Sequence, residues 1–398
     1  MRRIAFAILI LILLSNISLQ AQQKLITSTP PIGWMSWFPF IDQINEKVIM
    51  EVADAMVTNG LRDAGYNLLQ LDDGWMAAKR DAEGRQYADT ARFPHGMKYL
   101  ADYVHSRELK IGIYSSNGMK TCAGYPGSYN HEELDANTYA AWGIDYLKYD
   151  ACGEKQGHAD RELHTRMSKA LKASGRPILF EVCIFASDTT HLWGAEIADM
   201  WRTGGDIVKF IDKNPEVTYE NWYENLNQLI GKEKYAGNGH WNDPDNLIVD
   251  YPRNNKQTYE EQKSQFSLWS IATVPLILGN DVRKMSPEIK RILLNKEIIA
   301  VNQHQFAKPG ARIKSDDNSE IWLKQLNTGT NAVVLFNKQN SPKLLTLNFS
   351  DIEMTGSVKI RDLWSHTDKG NFKSSYSVIV APHGVAMLKL ESLKQAGK

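Results

Sequence analysis

The sequence predicts a (β/α)8 TIM barrel followed by a C-terminal antiparallel β-sandwich. Three observations predict it. Short apolar runs recur roughly every 30 to 40 residues from about residue 31 to 300, with helix-like stretches between them, the rhythm of parallel strands buried on both faces. Eight such runs can be counted, and several end in acidic residues, as at the mouth of a barrel. After about residue 305 the rhythm changes to short alternating or apolar runs separated by turn residues.

The barrel strands are expected at Ile32-Gly33-Trp34, Tyr66 to Leu71, Leu109 to Tyr114, Ile144 to Tyr149, Pro177 to Val182, Met200 to Arg202, Gly239 to Trp241 and Pro275 to Leu278. Segments such as Glu46 to Ala64 and Thr138 to Trp142 supply connecting helices. The sandwich is expected from Glu320 to Gln325, Asn331 to Phe336, Lys343 to Leu347, Ser357 to Ile360 and Tyr376 to Val380, with turns at Asn327-Thr328-Gly329 and Asp368-Lys369-Gly370. The barrel is assigned to residues 27–303 and the sandwich to 306–395. Trp322 and Trp364 in the sandwich fit a core as well as a sugar-binding surface.

The first residues read as an export signal. Arg2 and Arg3 precede an apolar run from Ile4 to Leu14, and Ala21 stands at a cleavage position. That run is well short of the ~20 residues that span a bilayer. Residues 1–21 are therefore expected to be removed, leaving an exported enzyme, periplasmic or extracellular, with no membrane attachment. Lys plus Arg and Asp plus Glu balance at 46 each, which offers no field for nucleic acid. The 11 Trp and 16 Tyr suit carbohydrate, whose C–H faces pack on flat rings. The three cysteines, Cys122, Cys152 and Cys183, allow one disulfide, and spacing alone leaves the pair open.

The chemistry is expected where the strands end. Strand two runs into Asp72-Asp73-Gly74-Trp75, strand four into Lys148-Tyr149-Asp150, strand six into Arg202-Thr203-Gly204-Gly205-Asp206, and strand seven into Trp241-Asn242-Asp243-Pro244-Asp245. A single such Asp is an ordinary helix cap, but four strand ends converging on one mouth point to ligand chemistry. Glycoside hydrolysis needs two carboxyl groups flanking the scissile bond. Lys148, two residues before Asp150, points to the same side of its strand and would help keep Asp150 ionised. Asp206 sits in a Gly-rich loop, and Arg202 favours its ionised form unless the guanidinium is engaged by substrate. Clustered carboxylates could also bind a hard cation, but the chain has no EF-hand loop and no paired-His motif. Neither a metal nor a cofactor is expected.

At these residues the chain resembles glycoside hydrolase family 27, the α-galactosidase and α-N-acetylgalactosaminidase family, over nearly its whole mature length. Pro31-Ile32-Gly33-Trp34-Met35-Ser36-Trp37, Asp72-Asp73-Gly74-Trp75, Gly112-Ile113-Tyr114, Lys120 to Ser128, Tyr146 to Asp150, Trp201 to Asp206 and His240 to Asp245 carry the likeness, in order. The resemblance implies double displacement with retention, with Asp150 as nucleophile and Asp206 as acid/base. It implies that Trp34, Asp72, Asp73, Tyr114, Lys148, Arg202 and Asp243 hold the sugar, with Asp72 and Asp73 on its 4- and 6-hydroxyls. It also implies a Cys122–Cys152 disulfide on the active-site face; Cys183 corresponds to a family Cys but has no second Cys near the next strand, and is expected to be free.

One segment departs from the pattern. After the fifth strand the family carries Cys, an acidic or amide residue, then Trp, and the middle residue helps read the sugar's 2-position. Here the segment is Cys183-Ile184-Phe185-Ala186-Ser187, and Ile184 cannot accept a hydrogen bond. Either Glu181 or Asp188 supplies the contact, or specificity at the 2-position is altered. The expected activity is removal of terminal α-D-galactosyl residues from oligo- or polysaccharides. Alternatives on the same scaffold are an α-N-acetylgalactosaminidase or a β-L-arabinopyranosidase; Asp73, on the 6-hydroxyl, favours galactose over arabinose. A non-catalytic carbohydrate-binding protein is the alternative of another class, against which the Asp150 and Asp206 pair argues.

Overall fold

A computed structural model gives the fold and describes residues 27–393 apart from 186, 188, 212, 213, 238 and 307. The expected leader, residues 1–21, lies outside the described residues, and so does Asp188.

Eight parallel strands form one sheet: β1 (Ile32–Met35), β2 (Leu68–Gln70), β3 (Lys110–Ser116), β4 (Tyr146–Asp150), β5 (Leu179–Val182), β6 (Met200–Arg202), β7 (Trp241–Asp243) and β8 (Leu276–Leu278). Their spatial order is β8-β1-β2-β3-β4-β5-β6-β7. The sheet closes where Leu247, just past β7, bonds to β8 through Leu247 N–Ile277 O (2.8 Å) and Gly279 N–Leu247 O (2.9 Å). Gly33 is required by the close approach of the first two strands, because a Cβ there would lie 2.2 Å from the Leu68 carbonyl oxygen. Seventh-strand pairing begins at Trp241, two residues later than the sequence suggests.

Helices cover the barrel: α1 (Glu46–Thr58), α2 (Gly96–His105), α3 (Glu132–Trp142), α4 (Asp160–Ala173), α5 (Gly194–Ile197), α6 (Tyr219–Asn227), α7 (Tyr259–Ala272), α8 (Pro287–Leu293) and α9 (Lys296–Asn302). The expected helix from Glu46 to Ala64 stops at Thr58, since Gly60 takes φ +82° and breaks the helical run. Local chemistry sets other starts: the Asn45 side chain accepts from Val48 N, and Thr258 and Glu261 form a reciprocal capping box on α7. Among the described residues no helix is long and apolar enough to cross a membrane.

The second unit is a β-sandwich. One sheet runs in the order β9-β10-β11-β16-β13-β14, from β9 (Ala311–Ser315), β10 (Ser319–Asn327), β11 (Thr330–Asn337), β13 (Ser357–Asp362), β14 (Thr367–Phe372) and β16 (Val385–Leu393). β12 (Lys343–Asn348) and β15 (Ser375–Val380) pair antiparallel as the other sheet. The expected turn at Asp368-Lys369-Gly370 is instead part of β14. The register slips there, with Ile360 facing Gly370 and Arg361 facing Asp368, and Gly370 at φ +105° absorbs the bulge. Between the sheets lies a core of Ile321, Val333, Leu335, Leu347, Val358 and Leu390, among others.

α7 joins the two units and is buried nearly all round. Trp364 Nε1 donates to Ser267 Oγ (3.0 Å), and Ser264 Oγ donates to His383 O (2.7 Å). Trp322 is buried, its Nε1 on Glu320 Oε2 at 2.9 Å. Both tryptophans therefore serve packing.

Candidate active site

The mouth of the barrel is assembled from strand ends that the sheet fixes in register. Ser36, after β1, accepts a hydrogen bond from Asp72 N at 2.8 Å, which locks the turn after β2. Gly74 at φ +98° lets that turn reverse past Asp42. Asp72 forms a buried ion pair with Lys148, Nζ to Oδ2 2.9 Å. Asp73 accepts from Gly74 N and from Ala123 N, both at 2.8 Å. Trp34 is fully buried, its Nε1 donating to Asn280 O past β8 at 2.8 Å.

On β4, Lys148 and Asp150 project to one side, as alternation requires. Asp150 Oδ1 accepts from Ala151 N at 2.8 Å, and Oδ2 accepts from the Tyr114 hydroxyl of β3 at 3.0 Å. The Tyr114 ring lies 5.5 Å from the Lys148 ammonium. Cys122 and Cys152 are joined as a disulfide, whose Cys122 sulfur is 3.6 Å from Asp150 Oδ2. Cys183 is free and buried.

Arg202, at the end of β6, gathers three carboxylates: Asp206 at 3.0 Å, Asp243 at 3.3 Å and Asp245 at 3.0 Å. The Asp206 side chain is 52% exposed while its Arg202 partner is 3% exposed, so Asp206 is the member open to the mouth. Partial desolvation raises the Asp206 carboxyl, but the Arg202 and Lys148 charges outweigh it and hold the group below its ordinary value. Burial drags the Lys148 ammonium down, but the opposite charges around it, Asp72 foremost and Asp150 among them, together outweigh burial and hold it well above its ordinary value. Burial pushes the Asp73 carboxyl up to about 6, opposed by hydrogen bonds from Ala123 and Thr121. Asp245 also rises to about 6 through burial, against the pull of Arg202.

All nine expected catalytic and sugar-binding residues thus lie at one end of the barrel, on or just after β1, β2, β3, β4, β6 and β7. The sequence did not single out Asp245 as an Arg202 partner or Ser36 as the brace of the Asp72 turn. Glu181 does not supply a contact at the mouth. It is buried inside the barrel, where it accepts from the Tyr146 hydroxyl and hydrogen-bonds Asp243. Burial raises the Glu181 carboxyl well above its ordinary value, and the neighbouring Asp243 adds to the rise. A carboxyl within the otherwise apolar Leu179–Val182 strand was the signal for such an inward role. Ile184 is half-buried and packs against the barrel core.

Residues 29–304 match the family model described as α-galactosidase A, and residues 316–390 match the α-galactosidase C-terminal β-sandwich domain. An α-galactosidase of rice, Oryza sativa subsp. japonica, is 41% identical over 368 residues, covering 91% of this chain and 84% of the rice protein. α-Galactosidase A of Cellvibrio japonicus is 38% identical, covering 95% of this chain and 96% of that one. The crystal structure of α-galactosidase I from Mortierella vinacea superposes with a TM-score of 0.85 at 32% identity, over 95% of this chain and all of that one. With the barrel and the C-terminal sandwich each matched in this way, the chain belongs to the α-galactosidase A family, glycoside hydrolase family 27.

Proposed function

We propose that this protein is a retaining exo-glycoside hydrolase that removes terminal α-D-galactosyl residues from oligo- or polysaccharides. The observation that carries the reading is the pairing of Asp150 with Asp206 at one barrel mouth, both in the field of the Lys148 ammonium. In the first step an Asp150 oxygen attacks the anomeric carbon while the bond to the leaving oxygen breaks and Asp206 gives that oxygen a proton. In the second, water attacks the same carbon, Asp206 takes the water's proton, and the ester to Asp150 breaks. Two inversions give retention.

Each neighbour has a task. Tyr114 OH and Ala151 N aim the Asp150 carboxylate. Lys148 and Asp72 present a charged donor and acceptor to sugar hydroxyls, and Asp73, braced by Ala123 N, takes the 6-hydroxyl. Trp34 and Asp243 complete the sugar site. Arg202 holds Asp206 ionised in the free enzyme, whereas an acid needs its proton. The bound sugar must therefore engage the guanidinium N–H that now faces Asp206, while Asp243 and Asp245 hold Arg202 in place.

Ile184 favours a second reading. Apolar and half-buried after β5, it offers no acceptor to a 2-hydroxyl and suits the methyl of a 2-acetamido group, which would make the enzyme an α-N-acetylgalactosaminidase. Export follows from the leader-like residues 1–21, with residues 27–303 and 306–395 as the two domains of the mature chain. Initial rates on aryl α-D-galactoside, α-N-acetylgalactosaminide, β-L-arabinopyranoside and α-D-glucoside test the assignment. A strong preference for the α-galactoside is expected, with turnover abolished and sugar binding kept in Asp150→Asn. Turnover surviving Asp150→Asn excludes this nucleophile, and preference for the acetamido sugar makes the Ile184 loop the determinant of specificity.

A further inference from the structure

The sugar-holding residues at the mouth are buried and mostly charged, but one large apolar side chain beside them is not. Phe185 is 64% exposed, and among the described residues no aromatic side chain is more so. A ring that open contributes little to the core. Its position is fixed against the acid/base loop: Cε2 and Cζ lie 3.4 Å from where a Cβ at Gly205 would stand, one residue before Asp206. A general acid must touch the oxygen that joins the terminal sugar to its leaving group. Asp206 therefore marks the boundary between the two, and it is the exposed, outward member of the Arg202 cluster. A ring beside it on the solvent side faces the leaving group.

We infer that Phe185 is the platform of a leaving-group subsite, stacking the apolar C–H face of the next sugar and so determining which galactosides are hydrolysed fast. This rests on the α-galactosidase reading above. The ring takes saccharide or aryl leaving groups with a flat apolar face and offers no polar atom to discriminate hydroxyl patterns, so it recognises shape.

The test compares Phe185→Ala and Phe185→Trp with the parent enzyme on three substrates: a galactosyl disaccharide, 2,4-dinitrophenyl α-galactoside and α-galactosyl fluoride. The fluoride has no leaving group to stack, and neither it nor the dinitrophenyl galactoside needs acid assistance. Phe185→Ala is expected to lower kcat/KM by about 2- to 10-fold on the disaccharide and on the dinitrophenyl galactoside, mainly through KM, as loss of an aromatic contact does. It should leave the fluoride unchanged, and Phe185→Trp should restore the first two. A loss on the disaccharide alone would show that the ring only positions Asp206. An equal loss on all three would place the ring at the terminal sugar, and no loss anywhere would remove it from binding; each of these overturns the inference. A parent enzyme silent on all three galactosides would instead refute the reading of the reaction itself.

Discussion

At the scale of single residues, burial sets the working range of the site. The Asp73 carboxyl, pushed up to about 6, is expected to accept the 6-hydroxyl, and its ionised form is the stronger acceptor. Acidification through that value protonates it, so KM for a galactoside should climb below pH about 6, by up to about tenfold per unit. Asp73→Asn should show a raised KM that no longer varies over the same range. KM measured from about pH 4.5 to 7.5 for both proteins checks this, and a parallel rise in the two would assign the titration to another group. The Asp73 motif was legible in the sequence because it sits in a paired-Asp turn with its own signature. Glu181 was legible only as a carboxyl on a strand; whether it reaches the mouth or the interior depends on strand tilt and on Tyr146 and Asp243 lying beside it, neither of which the chain's order reveals.

At the scale of elements, the Cys122–Cys152 bond ties the loop after β3 to the loop after β4 across 30 residues of sequence. Ala123, next to Cys122, is the residue whose amide holds Asp73. The double variant Cys122→Ser/Cys152→Ser should therefore lose stability, by about 2–4 kcal/mol for a closed loop of this kind, and should also raise KM by releasing Asp73. Chemical denaturation with steady-state kinetics checks both; an unchanged KM would mean that the loop keeps its place without the bond. The barrel strands were legible because strands buried on both faces read as apolar runs. β16, central to its sheet, was missed because exposed Lys389 and Glu391 interrupt it. β14 was mistaken for a turn because its exposed run Thr367 to Asn371 carries no apolar side chain. Edge strands and half-exposed strands take their order from their neighbours, which the local sequence does not show.

At the scale of the whole molecule, barrel and sandwich meet around a buried cation. Lys324 of β10 is 1% exposed, and its ammonium donates to Thr273 Oγ1, just past α7, and to Val301 O of α9, both at 2.6 Å. Among the described residues no carboxylate pairs with it. Burial alone lowers its pKa from 10.5 to about 7. Between those two values the unfolded chain binds a proton that the folded protein refuses, so this group makes stability rise with pH across that window. Below about 7 both states are protonated and the cost of burying the charge is complete and constant. Lys324→Met removes the titration along with two hydrogen bonds, and the lost bonds shift its stability by an amount that does not vary with pH. The difference between parent and variant should consequently swing toward the parent by about 2 kcal/mol as pH rises from 7 to 9, at up to about 1.4 kcal/mol per unit. Urea midpoints of both proteins at the two pH values read the swing directly. A difference that stays constant would mean that the amine keeps its proton at the domain junction, with water or a shifted carboxylate compensating it.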